Sequence, residues 1–135
     1  MERRETLVEV RRTRNDCVFG LRVTLEPERG DHGIAFAESY DYLPLAGDPG
    51  REYIYSVYAA YDALGPLVVY FEGKLGQTFA GDPADQLVGA FHALVAAGEL
   101  GDELPLQENH RRVAEWCDQA GVPAETETWF WFNAD

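Results

Sequence analysis

Residues 47–66 read Gly-Asp-Pro-Gly-Arg-Glu-Tyr-Ile-Tyr-Ser-Val-Tyr-Ala-Ala-Tyr-Asp-Ala-Leu-Gly-Pro, and the fold turns on whether they form a helix or a strand. Asp48 suits an N-cap, where its carboxylate accepts from a free first-turn amide, and Pro49 suits the next position. Gly65-Pro66 supplies a stop. Between them Ile54, Val57, Tyr58, Tyr61 and Leu64 fall on one helical face. The tyrosines by themselves favour a strand. Caps and periodicity together predict a helix over 48–64.

Working outward, the same signature recurs 34 residues on, where Gly81-Asp82-Pro83 opens a helix that Gly98 closes, with Leu87, Phe91, Leu94 and Val95 as its stripe. Between the two, Leu67, Val69 and Phe71 read as a strand, Gly73-Lys74 as a turn and Leu75–Phe79 as a hairpin partner. A third helix spans roughly Leu106 to Ala120, with Leu106, Val113, Trp116 and Cys117 inward and Gly121 as its stop. The first third of the chain alternates. Thr6, Val8 and Val10 mark one strand, and Arg14-Asn15-Asp16 a turn. Cys17, Phe19, Leu21, Val23 and Leu25 mark the clearest strand, and Ile34 with Phe36 starts a third. A last strand covers Thr126–Asn133. The expectation is one α+β domain over 1–135: a mixed, mostly antiparallel sheet of five to six strands with three helices packed on it, ordered β-β-β-α-β-β-α-α-β.

Charge is the dominant compositional fact: 11 basic residues against 24 acidic ones leave −13. Such a chain disfavours direct nucleic-acid contact and suits a basic protein partner. The distribution is uneven, because residues 1–29 hold seven arginines and residues 30–135 only four basic residues. Between Leu75 and His110 lie six acids and no Lys or Arg. One is the capping Asp82; the other five, Asp85, Glu99, Asp102, Glu103 and Glu108, are candidate partner-binding residues. The alternative is plain solubilising charge. Trp129 and Trp131 share one face of the terminal strand. They are either packed, the commoner fate of large aromatics, or exposed as anchors for a partner.

Catalytic chemistry is poorly represented. His32, His92 and His110 are isolated, without the i, i+4 spacing that grips a metal, so neither a metal nor another cofactor is expected. Cys17 and Cys117 lie on apolar rows, which predicts protonated, unpaired thiols. Arg29-Gly30-Asp31 suits an exposed turn. The acid pairs Glu26/Glu28 and Asp102/Glu103 lack an apolar wall nearby in sequence. No apolar run is long enough to span a membrane, and Met-Glu-Arg-Arg-Glu lacks the apolar stretch of a signal peptide, so the cytoplasm is expected.

Leu25-Glu26-Pro27-Glu28-Arg29-Gly30 followed by Gly33-Ile34-Ala35-Phe36 resembles the strand–turn–strand of domain IV of elongation factor G. Arg51-Glu52-Tyr53-Ile54, Val57 and Ala63-Leu64-Gly65-Pro66-Leu67 are similar to that domain's first helix and its exit. The resemblance implies an arm that mimics a transfer-RNA anticodon stem. It departs from the family at Arg14-Asn15-Asp16-Cys17 and at Gly76-Gln77-Thr78-Phe79, where the tip-loop motifs are missing, and no GTPase signature accompanies it. Three functional readings follow. The first is a non-enzymatic acidic protein acting on translation machinery or imitating nucleic acid. The second is an immunity-type inhibitor of a nuclease or deaminase toxin. The third is a small enzyme using His92 or His110.

Overall fold

The structure, a computed structural model, describes residues 5–14, 17–43 and 50–132, with side chains described at 17–43 and 50–131. Strands β1 (Glu5–Arg14), β2 (Cys17–Leu25), β3 (Ile34–Tyr42) and β4 (Arg51–Ala59) form an antiparallel meander. The chain then passes through helices α1 (Leu64–Leu75), α2 (Pro83–Ala96) and α3 (Glu108–Gln119), and returns as β5 (Ala124–Phe132), antiparallel beside β4. The sheet order is β1-β2-β3-β4-β5. The α+β class with one helix-covered sheet is as expected. The sheet is wholly antiparallel rather than mixed, and the element order is β-β-β-β-α-α-α-β.

The difference arises at residues 51–75, where helix and strand change places. Arg51–Ala59 is strand β4, not a helix, so the helix implied there by the elongation-factor resemblance is also missing. Tyr53, Tyr55, Val57 and Ala59 face the helices, and Ile54, Ser56 and Tyr58 the other side; the aromatic and β-branched content outweighs the helical spacing. The expected opening cap at 48–49 lies outside the described residues, as do Asn15 and Asp16 of the first turn. Gly65-Pro66 is not a stop. It sits in the first turn of α1, where a missing proline N–H costs nothing. Nor is Leu67–Phe71 a strand: Leu64, Leu67, Val68 and Phe71 are buried at helical spacing, while Val69 is 69% exposed. Gly73-Lys74 is inside α1, which ends at Gly76 in the left-handed conformation (φ 68°).

The second and third helices follow the sequence reading more closely. The Asp82 side chain accepts from the Asp85 N–H at 2.9 Å, and Pro83 opens α2. Leu87, Ala90, Phe91 and Leu94 are buried, and Val95 only partly so. In α3, Val113, Trp116 and Cys117 point inward, but Leu106 precedes the helix and is 52% exposed.

Helix α3 is anchored by a buried acid. The two-residue period of β3 turns Ile34, Phe36, Glu38 and Tyr40 inward, and Glu38 has no exposed surface. The α3 N-cap, Gln107, has φ 70° and provides no side-chain cap. Glu38 supplies the cap from the sheet, its Oε1 accepting the His110 N–H at 2.9 Å. Its Oε2 accepts from Tyr40 Oη at 2.5 Å and Asn109 Nδ2 at 3.0 Å. The Asn109 amide in turn donates to the Gly101 carbonyl at 2.9 Å and accepts the Gly101 N–H at 2.8 Å. Removing the acid orphans buried donors, so Glu38→Ala is expected to cost about 3 kcal/mol in urea unfolding. A loss below about 1 kcal/mol would show that the network does not hold α3.

Candidate interaction face

Helices occupy one face of the sheet; the other face carries the alternate residues. Gly20, Ala35, Ala37 and Ser39 make a low floor there, and a Cβ on Gly20 would stand 2.6 Å from Ser39 Oγ. Two adjoining hollows of about 160 and 200 Å³ lie on this floor and share Arg22, Ala37 and Ile54. The register places Glu9 opposite Arg22 and Asp41 opposite Glu52. Burial and the neighbouring Asp41 raise the Glu52 carboxyl above the usual carboxylate range.

Strand β5 borders this face. Its outward residues are Glu125, Glu127, Trp129 and Trp131, set beside Tyr58, Ser56, Ile54 and Glu52 of β4. His32 Nε2 lies 2.7 Å from Glu125, and its ring stacks on Tyr58 at 4.5 Å. The Tyr58 hydroxyl donates to Glu127 at 3.0 Å. Trp129 and Trp131 are stacked with centroids 6.2 Å apart, and are 45% and 47% exposed. Of the two fates open to the tryptophans, exposure is the one observed. On the helix side Phe130 lies 4.8 Å from the Tyr53 ring and is 46% exposed. Glu125, Glu127 and Phe130 were missed in the sequence. The strand's edge position, which exposes both of its faces, has no local signature.

The five acids singled out in sequence do not form one free cluster. Asp85 lies in the first turn of α2, whose helix packs on α1 and reaches β1, whereas α3 lies over β3, β4 and β5. Asp102 and Glu103 line a hollow of about 420 Å³ with Val95 and Leu104. Glu99 approaches Lys74 at 3.9 Å and Arg112 at 3.6 Å. Glu108 is held by Arg111 at 2.6 Å and Arg112 at 2.9 Å, hydrogen bonds that pull its carboxyl down to about 2. Glu99 is thus paired with basic residues distant in sequence, and Glu108 with two that lie one turn on in its own helix.

Among the described residues no group of three or more His, Cys, Asp or Glu is placed to hold a metal, and no helix is long and apolar enough to cross a membrane. His92 is exposed on α2. His110 Nε2 is buried without a hydrogen-bond partner, 5.9 Å ring to ring from Tyr55. Burial pushes the His110 imidazole below its ordinary 6.5, with Glu38 opposing the shift.

That direction predicts a pH effect. The native state resists protonating His110 while the unfolded chain does not, so stability falls as pH drops below about 6.5. His110→Phe should flatten this part of the profile, read as urea midpoints at pH 7.5 and 5; equal slopes in the two proteins would remove the imidazole as the cause. For the thiols, Cys117 is pushed up to about 11 by burial, and burial also raises Cys17. Both are unpaired, on α3 and at the start of β2. Thiol titration of denatured protein purified without reductant should find two free groups, and the native protein should expose Cys17 before Cys117. Finding none would contradict the unpaired state.

No protein-family model matches the chain, and neither a curated protein nor a solved structure matches it.

Proposed function

We propose that this is a non-enzymatic acidic binding protein that engages a basic protein surface through β5 and the adjoining outer face of the sheet. The observation that carries the reading is the stacked Trp129–Trp131 pair, about half exposed and bordered by Glu52, Glu125 and Glu127 on one face. Half-exposed tryptophans are the side chains that most often anchor an interface once a partner desolvates them. The carboxylates around them, in a chain of −13, give that anchor a rim attractive to Lys and Arg. Asp85, Asp102 and Glu103 add to the general negative field, while Glu99 and Glu108 serve first as ion-pair partners within the chain. The histidine-based enzyme reading is weaker. A ring nitrogen sealed from solvent, as in His110, cannot reach a substrate without local opening.

A toxin's substrate groove and a protein of the translation machinery both offer basic surfaces. Capture from the native host on immobilised protein identifies which is engaged: a nuclease or deaminase supports the inhibitor reading, ribosomal material the translation reading. Trp129→Ala with Trp131→Ala should weaken the captured complex by about 30-fold or more, roughly 2 kcal/mol, with little change in melting. Glu125→Gln with Glu127→Gln should slow association and flatten its salt dependence. Undiminished capture by the double tryptophan variant would overturn this assignment of the binding face.

A further inference from the structure

We infer that β5 is a docking edge for an extended basic segment, which adds to the sheet as a sixth strand with Lys or Arg at alternate positions. This rests on the proposed engagement of a basic protein and names the form that the contact takes. Among the described residues β5 pairs with β4 alone, so the amides and carbonyls of its far side have no strand partner. Protein edges are normally blunted by Lys, Pro, bulges or short length. This one is nine residues long, contains neither Lys nor Pro, and pairs with β4 in unbroken register. Its residues 124–131 are all exposed.

The side-chain order selects the occupant. Along one face run Glu125, Glu127, Trp129 and Trp131. Each attracts a cation, the carboxylates by ion pairing and the indoles through their ring faces. Successive positions on one face of a strand are about 6.8 Å apart. An added antiparallel strand has the same spacing, so alternate cationic side chains meet all four in register. The opposite face presents Thr126, Thr128 and Phe130, which favours β-branched or aromatic residues between the cations. A second copy of this chain is the poorer occupant. It brings another −13 to an edge already carrying Glu125 and Glu127, with Glu52 beside Trp131.

The probe is a nonapeptide of alternating arginine and valine, titrated into the whole protein and followed by amide hydrogen exchange at residues 124–132. Two further versions carry N-methyl groups on one or the other set of alternate amides, and a fourth has its arginines gathered in a block. Strand addition predicts slowed exchange along β5 and at least tenfold weaker binding by one N-methylated version, with the other little changed. It also predicts at least tenfold weaker binding by the blocked peptide and by the Glu125→Gln, Glu127→Gln variant. Equal binding by all four peptides would reduce the contact to charge attraction and overturn the inference. A basic partner captured through Trp129 and Trp131 while no arginine peptide binds would also overturn it, leaving the proposed function in place. If sedimentation of the protein alone shows a dimer that Trp131→Lys dissolves, the edge belongs to a second copy and the inference fails. Loss of both the peptide and the captured partner would sink the two readings together.

Discussion

The contact between Glu38 and the start of α3 fixes the relation between the two layers. A helix that begins at a left-handed Gln107 with no side-chain cap has only the Glu108 N–H satisfied locally, by the Pro105 carbonyl at 3.0 Å. Burying the amides that follow against a sheet would ordinarily be unfavourable. Glu38 resolves this from the opposite layer, and Asn109 extends the same network to the Gly101 backbone. Three donors converge on two carboxyl oxygens, which suits an acceptor-only group. The network therefore sets where along β3 the helix starts. Apolar packing by Val113, Trp116 and Cys117 is far less directional and tolerates sliding.

Position in one layer determines sidedness in the other. With α3 lying over β3, β4 and β5, the sheet is covered on its helix side, while β5 at the edge stays exposed on both faces, Phe130 at 46% on the helix side and Trp129 and Trp131 at 45% and 47% on the outer one. Glu125 and Glu127 are steadied by His32 and by the Tyr58 hydroxyl, so the acids on this edge are held side chains with remaining acceptor capacity. The outer floor stays low because small residues line it, and Arg22 near its middle has Glu9 across the register. The strongly apolar part of that side is thus the tryptophan pair.

The sequence disclosed the elements whose signals are local. Alternation in Cys17–Leu25 placed β2, and Asp82-Pro83 placed the start of α2, because each depends on a period or a cap within a few residues. Residues 51–75 misled for the same reason. Ile54, Val57, Tyr58 and Tyr61 fit a helical face, yet alternate members of Arg51–Ala59 fit a strand equally, and only pairing with β3 and β5 decides between them. Gly65-Pro66 is compatible with both a helix end and a helix first turn. Glu38 could have been suspected, since an acid inside a two-residue apolar row beginning at Ile34 must be either buried and partnered or the end of the row. The ion pairs of Glu99 could not, because Lys74 and Arg112 reach it only after α1, α2 and α3 have been placed. Glu108 with Arg111 and Arg112 has the i, i+3 and i, i+4 spacing of a helical pair and was legible.

The late arrival of β5 bears on why its edge is left as it is. Its only strand partner among the described residues, β4, precedes it by the whole helical excursion, so this pairing closes the longest loop between neighbouring strands of the sheet. Non-local pairings of this kind form slowly, and an aromatic edge strand waiting to pair is a hazard for misassociation. An edge strand rich in Lys or broken by Pro would reduce that hazard at little cost to the sheet, since among the described residues β5 pairs with a strand on one side only. This chain instead places Glu125 and Glu127 ahead of Trp129, Phe130 and Trp131. Acids of this kind repel other copies of the same acidic chain, while they neither bend the edge nor block its amides. The edge is therefore protected against its own kind and left open to a strand of opposite charge.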